Sequence, residues 1–330
     1  MSNPIRIGFI GLNPDSHWAA IAHIPALKSL GDLFEIVGVA NSTPESAQKT
    51  AQTLGLKHAF ETPQALVQSD EIDLVVVTVK VPYHFELISA AINAGKHVHS
   101  EWPLGNGLDE ARKLTALAQE KGIVASCGTQ MRAAPEVAYL KSLIAEGYIG
   151  DVLSTSLIGS GGNWGAECIQ EHAYLYDNAN GATMLEIPFA HTLAGIKEVL
   201  GDFGDLYGKL IRRRNTVKVS ETGNEIPRTD FDQIMVHGAM KSGAAFSAHY
   251  RGGMFKGTNL LWEINGTQGD LQINGNIGHG QFAQLEIKGA KATDNALTVL
   301  EVPAEYKTGR QKGRLRAMLP GYIPQSQKIY

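Results

Sequence analysis

The chain has 330 residues, of which 43% are hydrophobic and 19% charged, a balance typical of a globular protein with a sizeable core and enough length for two domains. Its net charge of −4 gives no general basic field, which argues against nucleic acid as a direct partner, and no apolar run approaches the roughly 20 residues of a membrane helix. Two cysteines, Cys127 and Cys168, match neither a disulfide framework nor a zinc spacing, so we expect reduced thiols, no metal centre and a cytoplasmic protein.

The first thirty residues predict a nucleotide-binding turn. An apolar strand over residues 5–10 stops at Gly11, a polar break that includes Asn13 follows, and a helical pattern begins near Trp18. A strand, a tight glycine turn and a helix N-terminus form the geometry that holds a dinucleotide pyrophosphate. The fingerprint is incomplete: Gly11 takes the first glycine position of G-x-G-x-x-G, Asn13 takes the second, and no third glycine follows. On the motif alone, an ordinary strand and turn explains the stretch equally well.

Strands and helices then alternate through the N-terminal half. Strands are predicted at residues 34–40, 58–60, 72–79, 97–99 and 123–126, and helices at 44–56, from 63, at 82–95 and at 109–121. This alternation predicts an α/β, doubly wound parallel sheet of the Rossmann type in a domain spanning residues 1–128. Ligands of such sheets bind beyond the carboxyl ends of the strands, so the residues that follow each strand are the candidates for binding.

The second strand ends at Asn41, where NAD-specific sites carry a carboxylate that accepts from the ribose 2′-hydroxyl. Nothing at this position repels a 2′-phosphate, although no arginine is present to pair with one. We therefore expect NAD or NADP as the cofactor, leaning toward dual or NADP specificity. The neighbouring Ser42 and Thr43 either contact the ribose or only cap the next helix.

From residue 151 the pattern changes to period-two alternation between Gly- and Asn-containing turns. Strands are predicted at 151–158, 206–214, 231–239, 243–250, 259–264 and 270–273, with helices at 135–146 and 192–200. We expect an α+β domain at residues 129–330, built on an open, mostly antiparallel sheet. Residues 306–330 are basic, contain Gly and Pro, and show no strong helical pattern.

Several motifs carry a family resemblance. The segment 95–104 resembles the A-G-K-H-V-x-x-E-K-P-L signature of the Gfo/Idh/MocA oxidoreductases, and residues 23–27, His84, Gln130 with Arg132, and residues 146–150 are similar to that family as well. The match covers nearly the whole chain. Within the family, the lengthened turn after Gly11 and the Glu-Trp-Pro at 101–103 most resemble the branch of the yeast galactose-regulon repressor and its bacterial relatives.

The resemblance also reveals a departure. The lysine that assists proton transfer in the family aligns with Trp102, and an indole offers one donor and cannot relay a proton. Trp102 could instead stack beside a nicotinamide, or simply be a packed tryptophan. Lys80, at the end of the strongest strand, is a hypothetical replacement whose pKa burial beside a cofactor would lower. The alternative for Lys80 is an exposed lysine at a strand end.

The resemblance implies that His191 is the acid–base residue facing the substrate carbinol. Histidine suits this role because its pKa lies near working pH. We predict that His191 directly precedes a helix, and the alternative role is to cap that helix. The family aspartate four residues earlier is absent, so Glu186 is the nearest carboxylate. The candidate catalytic residues are His191, Lys80 and Glu186.

The remaining site predictions concern the cofactor and the substrate. Trp164 lies in a glycine-rich loop that could close over a sugar or be a plain hairpin loop, and Tyr176 and Asp177 either bind a polyol or form a turn. The candidate substrate-binding residues are Lys80, Arg132, Trp164, Tyr176, Asp177 and His191. The candidate cofactor-binding residues are Gly11, Leu12, Asn13, Ser16, Trp18, Asn41, Ser42, Thr78, Val79, Lys80, His84, Glu101, Trp102 and Gln130.

Two functions of different classes follow. The first is an NAD(P)-dependent oxidoreductase that transfers a hydride between nicotinamide and a carbinol of a sugar or polyol. The second, favoured by Trp102, is a catalytically silent dinucleotide-binding regulator with a protein partner. A weaker third is a carbohydrate hydrolase that uses NAD by redox cycling. By resemblance alone, we also expect a homo-oligomer formed through the C-terminal sheet.

Overall fold

The computed structural model describes residues 3–15 and 18–311. The chain divides into two compact units, one over Met1–Thr129 and the other over Gln130–Lys307. The predicted domain boundary at residue 128 lies next to this division.

The first unit is a six-stranded parallel sheet, which confirms the predicted Rossmann fold. Its strands in spatial order are β3, β2, β1, β4, β5 and β6. Their bounds are β1 Ile5–Ile10, β2 Phe34–Ala40, β3 His58–Ala59, β4 Leu74–Val77, β5 His97–Glu101 and β6 Ala125–Gly128. The helices are α1 Ile24–Lys28, α2 Pro44–Leu54, α3 Pro63–Gln68, α4 His84–Asn93 and α5 Leu108–Lys121.

Local sequence explains these elements. All four residues of β4 are fully buried, as expected for a strand covered on both faces. The hydroxyl of Thr43 caps α2 by accepting from the amide of Ser46, at 3.2 Å, with proline at the first helical position. The helix then ends at Gly55 in the left-handed conformation. The first predicted helix differs from expectation, since it begins as one π-helical turn, Ala19–His23, before α1.

The second unit is built on an eight-stranded, mostly antiparallel sheet, which confirms the predicted α+β architecture. Its spatial order is β17, β16, β15, β14, β7, β13, β12 and β9, and only the β13–β7 pair is parallel. These strands are β7 Val152–Gly161, β9 Phe203–Ile211, β12 Gln233–Met240, β13 Ala245–Gly252, β14 Leu260–Gly266, β15 Gly269–Gly275, β16 Leu285–Lys291 and β17 Thr298–Val299.

Further elements complete this unit. A small sheet contains β8 Glu167–Cys168, β10 Thr216–Val219 and β11 Glu225–Pro227. The helices are α6 Pro135–Ala145, α7 Ala190–Leu200 and α8 Ala304–Gln311. Along β13, β14 and β15, buried side chains on one face of the sheet alternate with exposed or half-buried ones.

Some sequence predictions need correction here. The short strands β8, β10, β11 and β17, and also β16, were not predicted from periodicity. Residues 304–311 are helical although no strong helical pattern was found at 306–330, and the rest of that segment lies outside the described residues. Among residues 3–15 and 18–311, no helix combines the length and apolar character needed to cross a bilayer.

Candidate functional site

The turn after β1 has the backbone that a dinucleotide site requires. Gly11 has a φ of +92°, and a Cβ at this position would lie 2.5 Å from Cγ1 of Val79. The hydroxyl of Thr78 donates to the carbonyl of Gly11 at 2.8 Å, which ties the turn to the end of β4. Glycine is therefore needed both for the conformation and for the close approach of Val79.

Asn41 holds the same turn rather than presenting its amide to a ribose. Its Oδ1 accepts from the amide of Leu12 and its Nδ2 donates to the carbonyl of Leu12, both at 2.9 Å. Nδ2 also lies 3.1 Å from the hydroxyls of Ser46 and Thr50. The side chain of Asn41 therefore stabilises the turn after β1. Its contact with the cofactor ribose stays a prediction.

The other predicted residues of this turn differ in exposure. The side chain of Leu12 is buried in the core, so only its backbone faces the turn. Asn13 is exposed, and its Oδ1 accepts from the amide of Asp15. Ser42 is exposed beside the capping Thr43, and Trp18 is half-buried against the core. Ser16 lies outside the described residues.

His84 connects the end of β4 to the segment that carries Trp102. Its Nδ1 lies 2.7 Å from the carbonyl of Pro103 and its Nε2 lies 2.9 Å from the carbonyl of Val79. The imidazole is buried, and burial lowers the pKa of His84. His84 therefore positions backbone at the carboxyl edge of the sheet, a role that the family motif did not specify.

Trp102 and Lys80 lie at this same edge of the sheet. Trp102 is half-buried and precedes Pro103 through a cis peptide bond. Lys80 is exposed just before a 3₁₀ turn, Val81–Tyr83. The exposure of Lys80 agrees with the alternative interpretation of an exposed lysine near a strand end.

A buried polar cluster lies behind Glu101. Nε2 of His23 hydrogen-bonds Oε1 of Glu101, and Nδ1 of His99 lies 2.8 Å from the hydroxyl of Ser126. Burial, and then the nearby His23, lower the pKa of His99 to about 3. One ligand atom of each of His23, His99 and Glu101 lies within 4.8 Å of the others, a donor set that could hold a metal ion. The direct hydrogen bond from His23 to Glu101 accounts for this geometry without one.

In the second unit, His191 lies inside a helix rather than before one. It is the second residue of α7, which continues from a π-helical turn, Leu185–Phe189. The prediction that His191 precedes or caps the helix is wrong, because the π-helical turn extends the helix by more than one turn before it. The side chain is 2% exposed, and its ring centroid lies 5.6 Å from that of His279.

Trp164 shares the surroundings of His279. Trp164 is 3% exposed in a 3₁₀ turn, Gly162–Trp164, and its ring stands edge-on to His279 with a centroid distance of 6.4 Å. Gln281, two residues beyond His279, donates from Nε2 to Oε1 of Gln130 at 2.9 Å. The expectation of a flexible loop around Trp164 is corrected, because the indole is packed in the interior.

Two predicted polar residues have local structural roles. Oε2 of Glu186 accepts from both the amide and the hydroxyl of Thr183, so it stabilises the start of the π-helical turn. Arg132 pairs with Glu198 at 3.1 Å. Glu198 lies seven residues after His191, about 10 Å along the helix at 1.5 Å per residue, so Arg132 is directed away from His191.

Tyr176 and Asp177 match the alternative of turn residues. Tyr176 is 1% exposed, its hydroxyl donates to the carbonyls of Asn163 and Glu167, and its ring lies under the guanidinium of Arg228. Asp177 caps a short turn by accepting from the amide of Ala179. The hydroxyl of Tyr176 is therefore used in the interior, and a direct substrate contact of this residue stays a prediction.

Sequence analysis missed His279, Gln281 and Thr50. His279 lies between two glycines and resembles an ordinary turn, and no local signal connects it to His191 or Trp164. A turn histidine flanked by glycines is a weak indicator of a site.

Comparisons with known proteins agree with this geometry. The model of an oxidoreductase family with an NAD-binding Rossmann fold matches residues 5–129, and the model of the C-terminal domain of Gal80p matches residues 135–275. The galactose/lactose metabolism regulatory protein GAL80 of Kluyveromyces lactis is 31% identical over 305 residues, covering 86% of this chain. The alignment covers 66% of that regulator, so the chain spans just under two thirds of its length.

An enzyme and two solved structures complete the comparison. The dehydrogenase aclE of Aspergillus oryzae is 31% identical over 289 residues, covering 83% of this chain and 78% of the enzyme. A super-repressor mutant of Gal80p from Saccharomyces cerevisiae has a TM-score of 0.86 at 27% identity, covering 94% of this chain and 84% of that one. A levoglucosan dehydrogenase in complex with NADH and L-sorbose has the same fold, with a TM-score of 0.80 at 22% identity, covering 94% and 82%. The chain belongs to the Gfo/Idh/MocA oxidoreductase family, in the branch that resembles Gal80p.

Proposed function

We propose that this chain is an NAD(P)-dependent oxidoreductase that transfers a hydride between nicotinamide and a carbinol carbon of a sugar or polyol. The observation that carries the proposal is His191, a buried histidine in an aromatic setting at the family's acid–base position. Similarity to a dehydrogenase over most of both chains supports it.

The residues of the turn after β1, which begins at Gly11, fit a dinucleotide. A Cβ at Gly11 would collide with Val79, so the bare glycine permits the tight turn after β1 that the first glycine of the dinucleotide fingerprint provides. Asn41 and Thr78 fix this turn from either side, which reduces the ordering cost on binding. The bound nicotinamide supplies the hydride chemistry.

Proton transfer falls to the protein. Oxidation of a carbinol releases the hydroxyl proton, and we assign its acceptance to His191, because Trp102 cannot relay a proton and Lys80 is exposed. Glu186 is excluded from the proposed chemistry since Thr183 already occupies its carboxylate.

Cofactor absorbance tests the proposal. Wild-type protein with NAD or NADP should change cofactor redox state with at least one of levoglucosan, L-sorbose or a panel of sugars and polyols. His191→Asn should lower kcat about 100-fold or more while cofactor affinity is kept. His172→Asn, in a 3₁₀ turn of the same unit, is the matched control. A normal rate in Lys80→Met would remove Lys80 as a catalytic candidate.

The second candidate function is a catalytically silent NAD(P)-binding regulator. Trp102 in the lysine position and the 31% identity to a regulatory protein favour it. If cofactor binds well, no panel member changes its redox state, and a protein partner is retained only when cofactor is present, the regulator is the better description.

A further inference from the structure

His279 is held in one position by its backbone. It lies in the turn between β15 and β16, flanked by Gly278 and Gly280. A Cβ on Gly278 would collide with Ser160, and a Cβ on Gly280 would collide with the sulfur of Met131. Both glycines are therefore needed for the turn to pack this closely against its neighbours.

Hydrogen bonds fix the same turn. The hydroxyl of Tyr250 donates to the carbonyl of Gly278 at 2.6 Å. The carbonyl of His279 accepts from the amides of Phe282 and Ala283, both at 3.0 Å. A side chain on such a backbone keeps its direction without help from its own polar atoms.

The imidazole of His279 has apolar and aromatic surroundings on several sides but an unused polar atom. Its ring lies 4.9 Å from Phe282 and 5.6 Å from His191, measured between centroids, with Trp164 edge-on. The side chain is almost fully buried, and among the described residues its Nε2 has no hydrogen-bond partner. An unpaired buried polar atom costs about 1–3 kcal/mol, and a ligand hydroxyl bonded to Nε2 would remove that cost.

We propose that His279 is a second ligand-binding histidine beside His191, and that its Nε2 hydrogen-bonds a hydroxyl of a neutral carbohydrate. The proposal rests on the substrate class of the proposed function. Trp164 stands edge-on to the same imidazole and keeps its surroundings apolar.

The charge of the site selects a neutral ligand. Burial, and then the neighbouring His191, hold the pKa of His279 well below its usual value. A neutral imidazole offers a donor or an acceptor to a hydroxyl but no charge to a phosphate or carboxylate. Arg132, the cation that the sequence predicted for substrate binding, is paired with Glu198. We therefore expect unmodified sugars or polyols to bind in preference to sugar phosphates and sugar acids.

Two variants separate binding from packing. His279→Phe keeps an aromatic ring among Phe282, Trp164 and His191 but removes Nε2, and His279→Gln returns a polar atom near the Nε2 position. His279→Phe should weaken carbohydrate affinity and raise KM about tenfold, and His279→Gln should recover part of the loss. The melting temperature should not fall in His279→Phe, because this variant keeps the ring and removes an unpaired buried polar atom. Cofactor affinity should stay at the wild-type value in both variants.

A spectroscopic readout does not depend on turnover. The imidazole C2–H signal of His279, assigned by its disappearance in His279→Phe, should shift when levoglucosan, L-sorbose or D-glucose is added to NAD-loaded protein. D-glucose 6-phosphate and D-gluconate should shift it less at equal concentration.

Each outcome decides the inference. It is overturned if no neutral carbohydrate moves the His279 signal, if His279→Phe keeps wild-type affinity, or if the phosphate or acid binds at least as tightly. Sugar binding that depends on His279 without any redox change supports the inference and counts against the proposed oxidoreductase. If His279→Phe turns over a sugar with wild-type kcat and KM, the oxidoreductase proposal is supported and the role of His279 in ligand binding is refuted.

Discussion

Gly11 is the residue on which the dinucleotide turn depends. Its positive φ and the close approach of Val79 act together, so the site tolerates neither a side chain nor a different backbone conformation. Asn41 shows a related principle, because one amide satisfies both backbone polar groups of Leu12. At this scale, cofactor binding is a matter of backbone shape as much as of side chains that touch the ligand.

Gly11→Ala is predicted to abolish cofactor binding. The added Cβ meets Val79 and is strained at a φ of +92°, so the turn must shift away from the phosphate-binding conformation. NADH and NADPH affinity, measured by fluorescence titration, should fall at least 100-fold. Gly55→Ala is the matched control, since Gly55 also has positive φ but no atom lies within 4 Å of the Cβ that alanine would add. Equal losses in both variants would contradict a local role for Gly11.

His99 predicts a dependence of stability on pH. Its pKa is about 3 in the folded protein and about 6.5 when unfolded, so the unfolded state binds more protons below pH 6.5. Stability is complete above pH 6.5 and is lost as pH falls toward 3. Each pH unit in that window costs about 1.4 kcal/mol, so roughly 2 kcal/mol is lost from pH 7.5 to 5.

The comparison of two variants isolates this term. His99→Asn removes the titrating group and keeps a donor for Ser126, so its free energy of unfolding should fall about 2 kcal/mol less than that of wild type between the two pH values. His97→Asn, at the exposed start of the same strand, should behave like wild type. Urea unfolding at pH 7.5 and 5 measures the difference, and parallel curves for wild type and His99→Asn would refute the assignment.

At the scale of elements, the hydroxyl of Tyr250 on β13 fixes the turn that carries His279. Tyr250, fully buried on β13, donates to the carbonyl of Gly278 and lies 3.4 Å from the hydroxyl of Thr192 on α7. One strand thus connects the turn of His279 to the helix of His191. The predicted strand at residues 243–250 contained this tyrosine, but its partners were not evident from the period-two pattern.

Tyr250→Phe is predicted to destabilise the protein by about 1–3 kcal/mol, because the buried carbonyl of Gly278 loses its donor. The lost hydrogen bond should also lower turnover by loosening the His279 turn. Tyr207→Phe is the control, since Tyr207 is 64% exposed on β9. Thermal unfolding compares the two, and equal melting temperatures for Tyr250→Phe and wild type would show that this hydrogen bond contributes nothing.

At the scale of the whole molecule, the large sheet of the second unit has exposed apolar side chains on one face among the described residues. Met235 on β12 and Ile158 on β7 are 45% and 37% exposed and flank His249 on β13 in one row across the sheet. Tyr207 stacks on His237 in the next row. Exposed apolar residues grouped in this way mark an interaction surface, and we propose that it forms a homo-oligomer.

Met235→Lys is predicted to weaken that assembly. A charge in the middle of this face must be desolvated on association, which is costly without a partner. Light scattering after gel filtration should show a smaller species or a dissociation constant raised at least tenfold. Leu153→Lys, at an exposed position near the start of β7 and outside this row, should leave the mass unchanged. A monomeric wild-type protein would refute the proposed interface.

Sequence alone determined the class of the fold, and it predicted the place of the cofactor turn. The alternation of buried strands with capped helices, such as the run at β4 and the Thr43 cap of α2, is a local signal that periodicity records. Gly11 is likewise recognisable, because a tight turn after a strand requires a positive φ that glycine adopts without strain. The acid–base role of His191 stays a prediction from the family resemblance, and its location inside a helix was not predicted.

Only the tertiary structure decided how the polar side chains are used. Glu101 bonds His23, which lies 78 residues away, and Asn41 bonds Leu12 across 29 residues. Such hydrogen bonds matter for stability because an unpaired polar group costs more free energy when it is buried. Neither of the two paired segments has a local sequence pattern that identifies the other. His279 is the clearest case. In the sequence it is an ordinary histidine between two glycines. It is a candidate ligand-binding residue because the fold packs its ring beside His191 and leaves its Nε2 without a hydrogen-bond partner among the described residues.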